Sequence, residues 1–252
     1  MRAAVHAEWT KLRTVASPGW FLASTVVLTV GLSAAAVAAT TCPAAGCAID
    51  ATKLTLTGVV LGQAVVAMLA VSVIGTEYST GTMLTTLTAV PRRGVVLAAK
   101  AVTATIPVML ASVLAVLGSL IAGWLIRPGH GLAPVSLSEG PTLRAAAGSV
   151  LYLGLICLLG LGIATAVRSS AAAVGIVLGL LYLFPVLLTV VTDPDWKRHI
   201  EQIAPSNAGL AILATTDLDD LPIGPWHGLG VLAAWAAAAL VAGGLALRLR
   251  DA

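Results

Sequence analysis

E-Y-S-T-G-T-M-L-T-T-L-T-A-V-P-R-R-G-V-V-L-A-A-K, residues 77–100, is a polar break between two long apolar runs. Ser79 and Thr80 have hydroxyls that can cap a helix start by accepting from unpaired backbone N–H groups. A short helix is expected over residues 82–90. Met83, Leu87 and Val90 recur at i, i+4, i+7 with Leu84 beside them, while Thr82, Thr85 and Thr88 point away. Pro91 ends that helix, because the residue before a proline is pushed out of the α region. Arg92, Arg93 and Lys100 then fall at the depth of lipid headgroups, with Lys100 snorkelling outward. Glu77 is expected to pair with Arg92 or Arg93. An amphipathic helix followed by a basic anchor reads as a docking surface rather than a catalytic loop.

Composition sets the class. The 252 residues are 58% hydrophobic and 10% charged, against about 25% charged in soluble domains. Several uncharged apolar runs exceed the ~18 residues that mark a membrane-span candidate. Six spans are expected near residues 19–39, 54–74, 101–126, 145–167, 171–192 and 228–247, all helical, since lipid offers no partner to an unpaired backbone group. Pro107 and Pro185 are expected to kink their helices. The first run is read as a retained span rather than a cleaved leader, because it follows a polar amphipathic segment and lacks a small-residue cleavage site. The expectation is one all-α integral membrane domain covering residues 1–252. Its basic residues are spread along loops, so no nucleic-acid partner is expected.

The segment 1–16 reads as an interfacial helix. Val5, Trp9 and Leu12 form an apolar stripe, with Glu8, Lys11 and Arg13 around it. Such a helix lies flat on an anionic leaflet. Charge then orients the chain. An even number of spans places both termini and the loops at 76–100 and 168–170 on one side. That side carries nine of the fourteen basic residues: Arg2, Lys11, Arg13, Arg92, Arg93, Lys100, Arg168, Arg248 and Arg250. The positive-inside rule makes it the cytoplasm, so both termini are expected in the cytoplasm of a multi-pass inner or plasma membrane protein.

Three loops face the other way. Cys42 and Cys47 lie close enough in sequence for a disulfide in an oxidising compartment, or stand as free thiols. Trp196, Ile200 and Ile203 predict a short surface helix, and Pro205-Ser206-Asn207 caps a second over 208–215. Asp217, Asp219 and Asp220 lack the spaced oxygen ligands of a calcium loop. Gly58 and Gly62 form a G-x-x-x-G pattern, as do Gly175 and Gly179. With Gly154, Gly160 and Gly162 they would let helices approach closely. The three-residue link 168–170 predicts tight packing of spans four and five.

The residues 77–100 resemble the first cytoplasmic loop of type-2 ATP-binding-cassette (ABC) exporter permeases in the style of high-GC Gram-positive bacteria. E-W-T-K-L-R-T at 8–14 resembles the N-terminal helix of the same family, and P-S-N-A-G at 205–209 its outer re-entrant region before the last span. The resemblance implies a permease subunit whose 77–93 segment contacts a separate ATPase subunit through Glu77, Tyr78, Ser79, Thr80, Thr82, Met83, Leu84, Leu87, Arg92 and Arg93. It implies a second permease copy or a paralogue, and membrane lipid, as further partners. ATP and magnesium would be bound by the ATPase and no cofactor by this chain. The sequence has no G-x-x-x-x-G-K-[ST] phosphate loop, no H-E-x-x-H and no G-x-S-x-G. Its spans lack the deep ionisable residues that ion-coupled transporters use. Two other readings stay open: a non-transporting sensor or immunity subunit on the same scaffold, and a membrane-embedded enzyme.

Overall fold

The computed structural model of the chain describes residues 2–41, 49–82, 92–127 and 139–249. Met83, Leu84, Leu87, Cys42 and Cys47 lie outside the described residues, so the helix expected over 82–90 and the disulfide do too; the Leu12 side chain is likewise outside. Among the described residues all regular structure is helical: α1 (Arg2–Thr14), α2 (Ala16–Ala39), α3 (Ala51–Thr55), α4 (Val59–Thr80), α5 (Arg93–Ile126), α6 (Gly140–Val167), α7 (Ser170–Val190), α8 (Pro194–Ile203), α9 (Pro205–Leu210) and α10 (Pro225–Leu249). Six of them, α2, α4, α5, α6, α7 and α10, are long and apolar enough to cross a membrane. The chain has an all-α membrane fold.

Several helix ends differ from expectation. The second span begins at Val59 rather than near 54, because Asp50 caps the separate short α3 by accepting from the Lys53 N–H at 2.9 Å. It then continues to Thr80 through polar residues. The hydroxyls of Thr76, Ser79 and Thr80 donate to carbonyls of their own helix, Ser72 or Thr76, at 2.8–2.9 Å. Ser79 and Thr80 therefore lie in the last turn of α4; the start of the helix they are expected to cap lies outside the described residues. Gly81 stops α4 in the left-handed conformation, at φ 72°, a region glycine enters at no steric cost. α9 starts at Pro205 rather than Ala208, since proline suits the first helical position. α8 forms as expected, its N-terminal N–H groups at Asp195 and Trp196 donating to the Asp193 carboxylate.

α6 is the centre of the bundle, with Tyr152, Leu153, Ile156, Cys157, Leu159 and Leu161 fully buried. It packs most extensively on α10, then on α4, and less on its sequence neighbour α7. The short link thus does not make spans four and five the tightest pair. α6 meets α10 at Gly162 and Gly243: a Cβ on Gly162 would fall 2.5 Å from the Ala239 backbone. The two G-x-x-x-G patterns separate cleanly. Gly58 and Gly62 seat α4 on α2, where a Cβ on Gly58 would fall 1.9 Å from the Thr29 carbonyl oxygen, and the Gly58 N–H donates to Ser33 Oγ at 3.0 Å. Gly175 and Gly179 face open space. Pro107 and Pro185 lie inside continuous helices.

Side chains at the helix ends gather in two layers. The layer holding α1 and the C-terminal end of α10, here the terminal side, joins the ends of α1, α4, α5, α6 and α10. On the far side, Asp50 accepts from Thr215 and Thr216, Arg127 donates to Thr55, and Arg144 donates to the Ala214 carbonyl. Exposed tryptophans mark both levels: Trp9 and Trp20 on the terminal side, Trp124, Trp196 and Trp226 on the far side. That is the aromatic belt of a membrane protein. Between them α5 exposes Ile106, Leu110, Leu114, Leu117 and Ile121, a stripe suited to hydrocarbon.

Candidate functional site

The site lies where α4 and α5 hold the two ends of the 82–92 segment. Because α4 stays helical past its apolar part, it carries Glu77 inward from the terminal side. α5 starts at Arg93 and delivers Lys100 two turns later at the same level. α1 brings Glu8 and Lys11 across both. Lys100 Nζ donates to Glu77 Oε1 at 2.6 Å and to Glu8 Oε2 at 2.8 Å. Lys11 Nζ reaches Glu77 Oε1 at 2.9 Å and Glu8 Oε1 at 3.2 Å. The side chains are 1% (Lys100), 8% (Glu8) and 9% (Glu77) exposed, and Lys11 is 45% exposed.

Two acids and two bases thus form a neutral quartet. Isolated charges at this burial would each cost several kcal/mol; pairing with hydrogen bonds offsets that cost. Burial is the largest influence on Lys11 and pulls its pKa down, but the Glu77 and Glu8 carboxylates outweigh it, and the net shift is upward. Glu77 Oε2 is buried and accepts no hydrogen bond from a described residue. Two expectations are corrected here. Glu77 pairs with Lys100 and Lys11, not with Arg92 or Arg93. Lys100 does not snorkel to the headgroups, because two buried carboxylates hold it inside.

The other expected residues take distinct places. Tyr78 lies under the Arg168 guanidinium, 5.8 Å from ring centre to charge, a cation–π distance. Arg168 also donates to the Ala246 carbonyl at 3.0 Å, and Arg93 donates to the Leu247 carbonyl. Two cations therefore hold the last carbonyls of α10, the favourable end of a helix dipole for positive charge. Thr82 shares a hydrogen bond with Thr80 at 2.9 Å. Arg92 is exposed at the N-cap of α5. In α1, Val5 is half-buried and Trp9 and Arg13 are exposed, while Glu8 turns into the protein. The face of α1 toward the bundle thus carries the acid that meets Lys100.

Deeper in the bundle, the Tyr152 hydroxyl donates to Gln63 Oε1 and the Tyr182 hydroxyl to the Val60 carbonyl. This joins α4, α6 and α7 by polar contacts inside an apolar core. Sequence reasoning missed Lys100 and Glu8 as partners. The available signal was a lysine with apolar neighbours on both sides, matched by acids expected on the same membrane side.

All four side chains of the quartet are engaged with one another in ion pairs. Its chemistry is electrostatic: it fixes α1, α4 and α5 relative to one another at the base of the 82–92 segment. Comparison of the sequence with protein-family models and with curated proteins finds no match.

Proposed function

We propose that the chain is the membrane subunit of an ATP-driven exporter of the type-2 ABC kind. In this reading it forms a translocation path with a second copy or a similar subunit in the plasma membrane, with both termini in the cytoplasm. It binds a separate ATPase subunit through the 77–93 segment. That subunit holds ATP and magnesium, and its closure pushes the segment and swings the attached spans.

One observation carries the reading: both ends of the segment, Glu77 and Lys100, are fastened to each other and to α1 through the buried quartet. A flexible connection would dissipate a push from outside the membrane. A clamp at its base passes the push to three helices together. The Tyr78–Arg168–Ala246 contacts extend it to α6 and α10. The basic excess on this side supports the cytoplasmic orientation. The missing phosphate loop supports a separate ATPase.

Tagged full-length chain, purified in mild detergent from its native membrane, tests the reading. The eluate is expected to hydrolyse ATP. Met83→Asp with Leu87→Asp is expected to remove at least nine-tenths of that activity, the ~1.4 kcal/mol that a tenfold loss represents, while the chain elutes as before. Undiminished hydrolysis by the double variant contradicts it, as does hydrolysis by the chain alone.

A further inference from the structure

A cavity of about 160 Å³ opens beneath the start of the bundle, between α1, α2, α4 and α5. Trp9, Leu22, Leu69, Ala104 and Pro107 give it an apolar wall, and Arg13 is the one charged residue among the described residues lining it. The Thr103 hydroxyl, which also borders it, is committed to the Ala99 carbonyl of its own helix at 2.9 Å. Arg13 makes no ion pair with a described residue, while the nearby acids Glu8 and Glu77 are held by Lys11 and Lys100. Exposed Trp9 and Trp20 put this level at a membrane–water boundary.

The geometry points to a binding site for one anionic phospholipid of the leaflet on the terminal side. Its phosphate sits on Arg13, and a length of one acyl chain enters the cavity past Trp9. Size separates this from a substrate pocket, since pockets for drug-sized ligands run to ~300–1,000 Å³. Charge decides the headgroup: a cation with no carboxylate partner among the described residues, over an apolar void, matches an anionic amphiphile rather than a cationic or neutral one. A lipid there would brace α1 from the face away from the quartet. The site depends on the membrane fold alone and stands apart from the proposed ATPase contact.

The test reconstitutes the full chain in phosphatidylcholine vesicles containing rising fractions of phosphatidylglycerol with brominated acyl chains. The Trp9 signal is taken as wild type minus Trp9→Phe. Quenching is expected to saturate with phosphatidylglycerol and to exceed that by brominated phosphatidylcholine at equal fraction. Arg13→Gln is expected to raise the half-quenching fraction about fivefold, the equivalent of the ~1 kcal/mol that one basic residue contributes at an anionic surface. Ala104→Phe, which fills the void, is expected to abolish saturation. Equal quenching by both lipids, unchanged by Arg13→Gln, overturns the proposal: Trp9 would then meet only bulk lipid. Full competition by inorganic phosphate overturns it too, since the site would then take a free anion.

Discussion

Lys100 is the residue with most at stake. It is buried between two carboxylates on different helices, so its replacement by Met leaves Glu8 and Glu77 facing only the half-exposed Lys11. Removing one partner of a buried pair costs ~3–5 kcal/mol. Lys100→Met is therefore expected to lower the unfolding midpoint strongly in mixed-micelle denaturation. Adding Glu8→Gln and Glu77→Gln is expected to recover most of the loss, because no buried charge is then left alone. Equal midpoints for the single and triple variants would contradict the quartet's role. The sequence showed Glu77 at the foot of the segment but assigned it the wrong partner. Helical periodicity reports which residues share a face of one helix. It carries no information on a residue 92 positions away, and Lys100 to Glu8 is such a pair.

The elements themselves were largely legible, because hydrophobic length in a membrane is a strong constraint. All six expected spans are present as helices. What failed was the reading of their ends, where Thr and Ser hydroxyls bonded to their own helix kept α4 going through polar residues. The short α3 was hidden for a related reason: its start depends on Asp50, whose carboxylate also accepts from the N–H groups of Thr215 and Thr216 and from the Thr215 hydroxyl. Burial, the largest single influence, pushes the Asp50 pKa up, but these donors together outweigh it and hold it below the ordinary value. A carboxyl lowered on folding contributes stability above its unfolded value, ~3.9, and loses it as pH falls through the folded value. Melting temperature is thus expected to drop between about pH 4 and lower pH, with a smaller drop in Asp50→Asn. An identical drop in the variant would show that the α3 cap carries none of it.

The whole molecule is a membrane bundle tied by side chains at both levels, with five helices fastened on the terminal side. The ends of α1, α4, α5, α6 and α10 are joined there by the quartet and by Arg168 and Arg93. Gly175 and Gly179 face open space on one side of α7. Sequence charge placed the same ends together but could not reveal that they are tied by side chains. Which side of the membrane holds this layer governs the rest of the interpretation. The direct measurement is labelling of Thr82→Cys, in a chain whose three native cysteines are replaced, by a membrane-impermeant maleimide. The account predicts labelling in inverted vesicles and none in intact cells; labelling in intact cells would contradict it.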